Sequence, residues 1–153
     1  MKYTREDNVI YDRCPIDNLA YTMWLHTKDK VTDSFLDKTI KIVRESTRFL
    51  DIVFFIPLTK VATIPIVENG TRDIDPTFRE EIDNIFKAIC NTYYKQTGAV
   101  FIKDDSPAVI EIFGKPEERL TMAEMYINKD GKVYGEDDSL IYVPPDFSAE
   151  DFA

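Results

Sequence analysis

Glycine is scarce in this chain of 153 residues, which has five. None of them builds a phosphate loop of the form G-x-x-x-x-G-K-[ST], where bare backbone amides and one lysine cradle phosphates. Gly114-Lys115 and Gly131-Lys132 are the Gly-Lys pairs, and neither has a glycine five residues earlier or a Ser or Thr after the lysine. Histidine occurs once, at His26, so a Ser/His or Cys/His constellation for hydrolysis is poorly supported. His26 reads instead as a satisfied or surface side chain on an early helix. The two cysteines, Cys14 and Cys90, lack metal-ligand spacing and read as buried thiols of a reducing compartment. No apolar run approaches the roughly 20 residues of a membrane span. The opening MKYTREDNVIY has no apolar signal core. These absences predict a cytoplasmic protein with no membrane partner.

Positive charge is also short: Lys plus Arg number 19 against 28 Asp plus Glu, a formal net charge of −9. Such a surface repels the phosphate backbone, which argues against broad nucleic-acid binding. Any anion site must therefore be a local basic cluster held against the overall field. The acidic stretch 128–139 (NKDGKVYGEDDS) lacks the alternation of a calcium loop, so no metal site is expected. What the chain does have is core-forming material, with 44% apolar and 12% aromatic residues. That suffices for one folded domain.

Periodicity divides the chain into alternating elements. Residues 8–12 (NVIYD) read as a short buried strand closed by a carboxylate. Pro15 opens a helix to about Lys28, with Leu19, Met23 and His26 on one face. A second helix, capped by Asp33, places Phe35, Thr39, Ile42, Ser46 and Phe49 on the face expected to be inward. Residues 51–56 (DIVFFI) and 108–113 (AVIEIF) are continuous apolar runs, as in strands buried on both faces of a parallel sheet. Between them lie a lid-like loop over residues 58–75 and a helix begun by Asp75-Pro76, with Ile82, Ile85, Phe86, Ile89 and Tyr93 as its stripe. Pro116 starts a last helix with Leu120, Ala123 and Ile127 inward, and Asp130-Gly131 suits a hairpin turn. The order predicts an α/β fold, a three-layer parallel sheet flanked by helices. Residues 1–128 form the domain and residues 129–153 an acidic tail.

In open parallel sheets, ligands bind beyond the carboxyl ends of strands. Asp12 and Arg13 fall at such an end. There a carboxylate can accept a hydroxyl proton or hold a magnesium-bound water, and a guanidinium can fork onto a phosphate. The segment N-V-I-Y-D-R-C-P-I-D-N-L-A-Y resembles the Asp-Arg strand-to-helix segment of thymidylate kinases and related P-loop nucleoside and nucleotide kinases. Residues 50–56, the loop 68–73 (ENGTRD) followed by Arg79, and IEIFGKPEER at 110–119 are similar to later parts of such kinases, including phage types. The likeness spans residues 8–127. It departs from the family at Cys14, where many members have an aromatic residue, His or Ser.

This resemblance implies a truncated P-loop kinase-like fold. Asp12 would lie at the reacting phosphates, Arg13 would grip the acceptor, and Arg72 would close over the transferring phosphate from the lid. Asp17, Asn18, Tyr21 and Arg79 would line the acceptor pocket. A nucleoside or nucleotide is the implied ligand. Mg2+ and ATP are implied only if a phosphate loop comes from elsewhere. That source would be a complementary P-loop-bearing chain, and exposed sheet edges make a homo-oligomer the other expected association. The alternative is a non-catalytic nucleotide- or protein-binding module. Because the loop is missing, the chain alone is expected to phosphorylate no nucleoside or nucleotide from ATP. A phosphotransfer assay across a nucleoside and nucleotide panel checks this, and any turnover refutes it.

Overall fold

The computed structural model describes residues 8–59, 75–95, 97–98, 100–102 and 105–133. In chain order these hold α1 (Pro15–Thr27), α2 (Asp33–Thr47), β1 (Ile52–Phe55), α3 (Pro76–Lys95), β2 (Ala108–Glu111) and α4 (Pro116–Glu124). β1 and β2 pair in parallel, from Ile52 opposite Ala108 to Phe55 opposite Glu111. The result is a mixed α/β architecture, with helices flanking a small parallel sheet that has two strands among the described residues. Ile127 and Val133 form one antiparallel bridge across the Asp130-Gly131 turn. Gly131 takes a φ of 79° there, as the hairpin reading requires.

Local chemistry explains most helix ends. Pro15 and Pro76 occupy first-turn positions where a missing N–H costs nothing. Asp75 Oδ1 accepts from the Thr77 N–H at 2.9 Å. α2 is capped by the Thr32 hydroxyl, which accepts from the Phe35 N–H at 3.3 Å, so Asp33 is its first residue and not its cap. Before α4 the chain turns at Gly114, whose φ of 91° suits glycine.

Three expectations are corrected. Residues 8–11 do not form a strand. Val9, Ile10 and Tyr11 are 51%, 89% and 37% exposed. A strand is defined by a bonded neighbour, and no described strand runs beside this segment. On α2 the expected inward face is turned outward, with Phe35, Ile42 and Phe49 each more than half exposed. Val43 and Thr47 are buried instead, and Leu36 and Ile40 pack against the core. Both faces of this helix carry apolar residues, so spacing alone did not select the packed one. Leu120 of α4, expected inward, is 61% exposed.

The core joins Ile16, Leu19 and Ala20 of α1 to Val43 of α2, Phe55 of β1, Ile89 and Cys90 of α3, and Val109 of β2. α1 packs on both α2 and α3. Its contact with α3 is locked by polar bonds at the rim. The Trp24 indole N–H donates to Glu81 Oε2 at 2.6 Å, and Lys28 Nζ donates to Glu81 Oε1 at 2.9 Å. These two donors hold the Glu81 carboxyl below its ordinary range. On the far edge of β2, the Tyr94 hydroxyl donates to the Val109 carbonyl at 3.1 Å. Among the described residues no helix is long and apolar enough to cross a membrane.

Leu19, 1% exposed, lies at the centre of this core. Leu19→Ala should destabilise the fold by about 2–5 kcal/mol, read as a shifted midpoint in urea denaturation with an unchanged slope. A loss below about 0.5 kcal/mol would mean that the site is not packed as described.

Candidate functional site

A cavity of about 980 Å3 opens between the Asn8–Tyr11 segment, the start of α1, the whole of β1 and the first turns of α3. Ala123, Ile127, Gly131 and Val133 close another side. Its walls are mostly apolar and include Phe54, Phe55, Phe78 and Phe86. Its volume is in the range of small-molecule sites. Next to it, where β1 ends, a smaller cavity of about 80 Å3 is lined by Leu58, Arg79, Gly114 and Arg119.

The cavity gathers four of the residues singled out from sequence. Arg13, Asp17, Tyr21 and Arg79 all line it. Asp12 and Asn18 are exposed and outside the lining. Arg72 and most of the lid-like loop lie outside the described residues, as does the acidic tail beyond Val133. The Asp12-Arg13 pair is thus split: Arg13 is among the lining residues and Asp12 is not.

Each member is placed by a local cause. Arg13 has a φ of 80°, a left-handed backbone that non-glycine residues rarely adopt. Asp17 is the third residue of α1, and its Oδ2 accepts from the Cys14 N–H at 3.0 Å. It therefore closes the helix N-terminus as well as lining the cavity. Tyr21, one turn on, stacks on Phe78 with ring centroids 6.2 Å apart and planes 22° apart. Trp24 meets the same Phe78 edge-on at 4.8 Å. Arg79 sits in the first turn of α3, on the cavity side. Neither Arg13 nor Arg79 has a carboxylate partner among the described residues.

Two residues that spacing alone did not single out complete the wall. Phe78 extends the α3 apolar stripe by one turn before Ile82, the signal that would have found it. Asp83 is 7% exposed, and its carboxylate accepts from the Leu58 N–H at 2.8 Å and from Lys87 Nζ at 2.5 Å. It ties the exit of β1 to α3. No pattern in the sequence announces a bond between residues so far apart in the chain.

The two thiols touching the cavity are poor nucleophiles. Burial pushes the Cys14 thiol up, and burial pushes Cys90 up to about 12. Among the described residues no three His, Cys, Asp or Glu side chains gather as a metal-ligand set. What the arrangement can do is bind. It offers two arginines with no carboxylate partner among the described residues, three aspartates, aromatic walls and an apolar floor, which suits a ligand with a polar end and a flat apolar body.

A comparison with protein-family models, curated proteins and solved structures returns no match for this chain. The family likeness therefore rests on the residues themselves.

Arg13 offers a direct check of the local geometry. Glycine at this φ is unstrained and alanine is not. Arg13→Gly should be more stable than Arg13→Ala by about 1 kcal/mol, measured by chemical denaturation of both variants. Equal stabilities would contradict a left-handed backbone at this position.

Proposed function

We propose that this chain is a nucleoside- or nucleotide-kinase-like P-loop fragment that binds a nucleoside or nucleotide in the cavity and transfers no phosphate unaided. One observation carries this reading. A chain with a net charge of −9 brings two arginines, neither paired with a carboxylate among the described residues, to the lining of one largely apolar cavity, beside Asp17, Asp51 and Asp83. Cations without counterions in a concave apolar site are what a phosphate-bearing ligand requires. Arg13 forks onto the phosphate and Arg79 adds a second positive charge. Tyr21 and Phe78 give the base an aromatic wall. In this reading β1 and β2 belong to a larger three-layer sheet. The free thiols at Cys14 and Cys90 suit a cytoplasmic setting.

Magnesium and ATP enter only with a phosphate loop supplied by another chain or segment. The described residues do not fit magnesium-ATP by themselves, because Asp12 stands off the cavity and no ligand cluster accompanies it. Phosphoryl transfer, with Asp12 as base and Arg72 as lid cation, is assigned to such an assembly and not to the chain alone.

Calorimetric titration with nucleosides and their mono-, di- and triphosphates tests the binding. Phosphate-bearing members should bind more tightly than the matching nucleosides. Arg13→Ala should weaken the phosphate-bearing members by about tenfold or more, the worth of one charge-assisted bond, and leave nucleosides unchanged. A panel in which nothing binds, or in which Arg13→Ala weakens nucleosides equally, overturns the reading.

A further inference from the structure

β1 and β2 run side by side in the same direction, so their carboxyl ends lie together. β1 ends at Phe55 and β2 at Glu111. The chain that leaves each strand, residues 56–59 on one side and Phe113-Gly114 on the other, walls the cavity of about 80 Å3. In open parallel sheets this end of the strands is where ligands bind. The volume is far below the roughly 300 Å3 at which organic-ligand sites begin. It suits one small group and not a nucleoside.

The charge of this small cavity is of one sign. Arg79 and Arg119 line it, and among the described residues no Asp or Glu does. The larger cavity, by contrast, has Asp17, Asp51 and Asp83 in its wall. Arg79 and Arg119 are both half-buried. Neither pairs with a carboxylate among the described residues. Glu118 stands beside Gly114 but is engaged, its Oε2 accepting from the Lys115 N–H at 2.5 Å.

Both walls are fixed from within the fold. Asp83 takes the Leu58 N–H at 2.8 Å, and Lys87 Nζ donates to the Leu58 carbonyl at 3.4 Å. These bonds tie the exit of β1 to α3, the helix that carries Arg79. On the other side Arg119 Nε donates to the Gly114 carbonyl at 3.0 Å, which ties α4 to the exit of β2. That bond uses one N–H of Arg119. The terminal nitrogens, the fork that grips an oxyanion, keep no partner among the described residues.

We propose that Arg79 and Arg119 form a binding site for one phosphate group at the carboxyl ends of β1 and β2. Arg119 forks onto the group from α4, and Arg79 meets it from α3. The group is free phosphate or the phosphate end of a nucleotide in the larger cavity, because Ile56, Leu58 and Arg79 line both cavities. The site stands on its own lining; only the second source rests on the proposed function.

Calorimetric titration with inorganic phosphate at constant ionic strength tests the site on the full chain and on Arg119→Gln, Arg79→Gln and Lys41→Gln. The full chain should bind phosphate with a Kd of about 1 mM or tighter. Each arginine variant should weaken binding about tenfold or more. Lys41→Gln removes an exposed positive charge on α2 and should leave it unchanged. Arg79→Gln decides the matter if loss of the Gly114 bond keeps Arg119→Gln from folding. Absence of saturable binding overturns the proposal, and so does equal weakening in all three variants, which would mark a diffuse effect of charge. A second arm titrates a nucleoside triphosphate with and without saturating phosphate. Both of its outcomes keep the site and decide the source. Competition, with weakening by Arg119→Gln, assigns it to the phosphate end of the nucleotide. Joint binding, or no nucleotide binding at all, assigns it to free phosphate. The first arm contains no nucleotide, and Arg119 lies outside the lining of the larger cavity, so this site and the nucleotide reading fail separately.

Discussion

The parallel pairing of β1 with β2 organises everything else in this molecule. Parallel pairs are stable when covered on their faces. Phe55 is buried in the core and Val53 packs against it, with α1, α2 and α3 contributing the surrounding side chains. Asp83 fixes where the chain leaves β1, by taking the Leu58 N–H from α3. The strand is therefore rigidly placed along the wall of a cavity. The cavity's apolar floor and its direction follow from that placement. So does the nearness of Arg79, which enters from the helix that Asp83 anchors.

What could be read from residues alone divides along a physical line. Elements whose cause is local were legible. The runs at 51–56 and 108–113 became β1 and β2, in the expected parallel sense, because unbroken β-branched and aromatic residues have few other places to go. The proline-marked helix starts at Pro15, Pro76 and Pro116 were legible for the same reason. Elements that depend on a neighbour were not. Residues 8–11 have the composition of a strand but no strand beside them among the described residues, and Val9 and Ile10 stay exposed. The packed face of α2 was a choice between two apolar stripes, decided by how Val43 and Thr47 meet the core. The candidate site followed the same division. Arg13 was singled out from its place after an apolar run, and Asp17, Tyr21 and Arg79 from the kinase resemblance; the structure lines one cavity with all four. Asp83 and Phe78 act across tens of residues and left no mark in spacing.

Under the proposed function, local electrostatics decides what the few cations of the cavity do. At physiological ionic strength charges are screened over about 8 Å, so the distant part of the −9 chain contributes little inside the cavity. Nearby groups decide. Asp83 is matched by Lys87, Asp17 accepts from the Cys14 N–H, and exposed Asp51 is a third carboxylate on the wall that carries Arg13 and Arg79. Arg79 is half-buried and is screened less than the exposed Arg13. An acidic protein can thus hold an anion at one place while its surface repels anions elsewhere.

Under the proposed function, the backbone at Arg13 has a purpose beyond folding. A non-glycine residue in the left-handed region costs about 1–3 kcal/mol and persists where its surroundings over-determine it. Glycine would relieve that cost at once, and the helix start would keep its bond from Cys14 to Asp17. The turn geometry therefore gives no reason for a long cationic side chain at this position. What the backbone does achieve is separation: the chain turns so that Arg13 lines the cavity and Asp12 does not. A guanidinium delivered without its neighbouring carboxylate is a better receptor for an anion than the pair would be, since Asp12 at the same site would neutralise the charge.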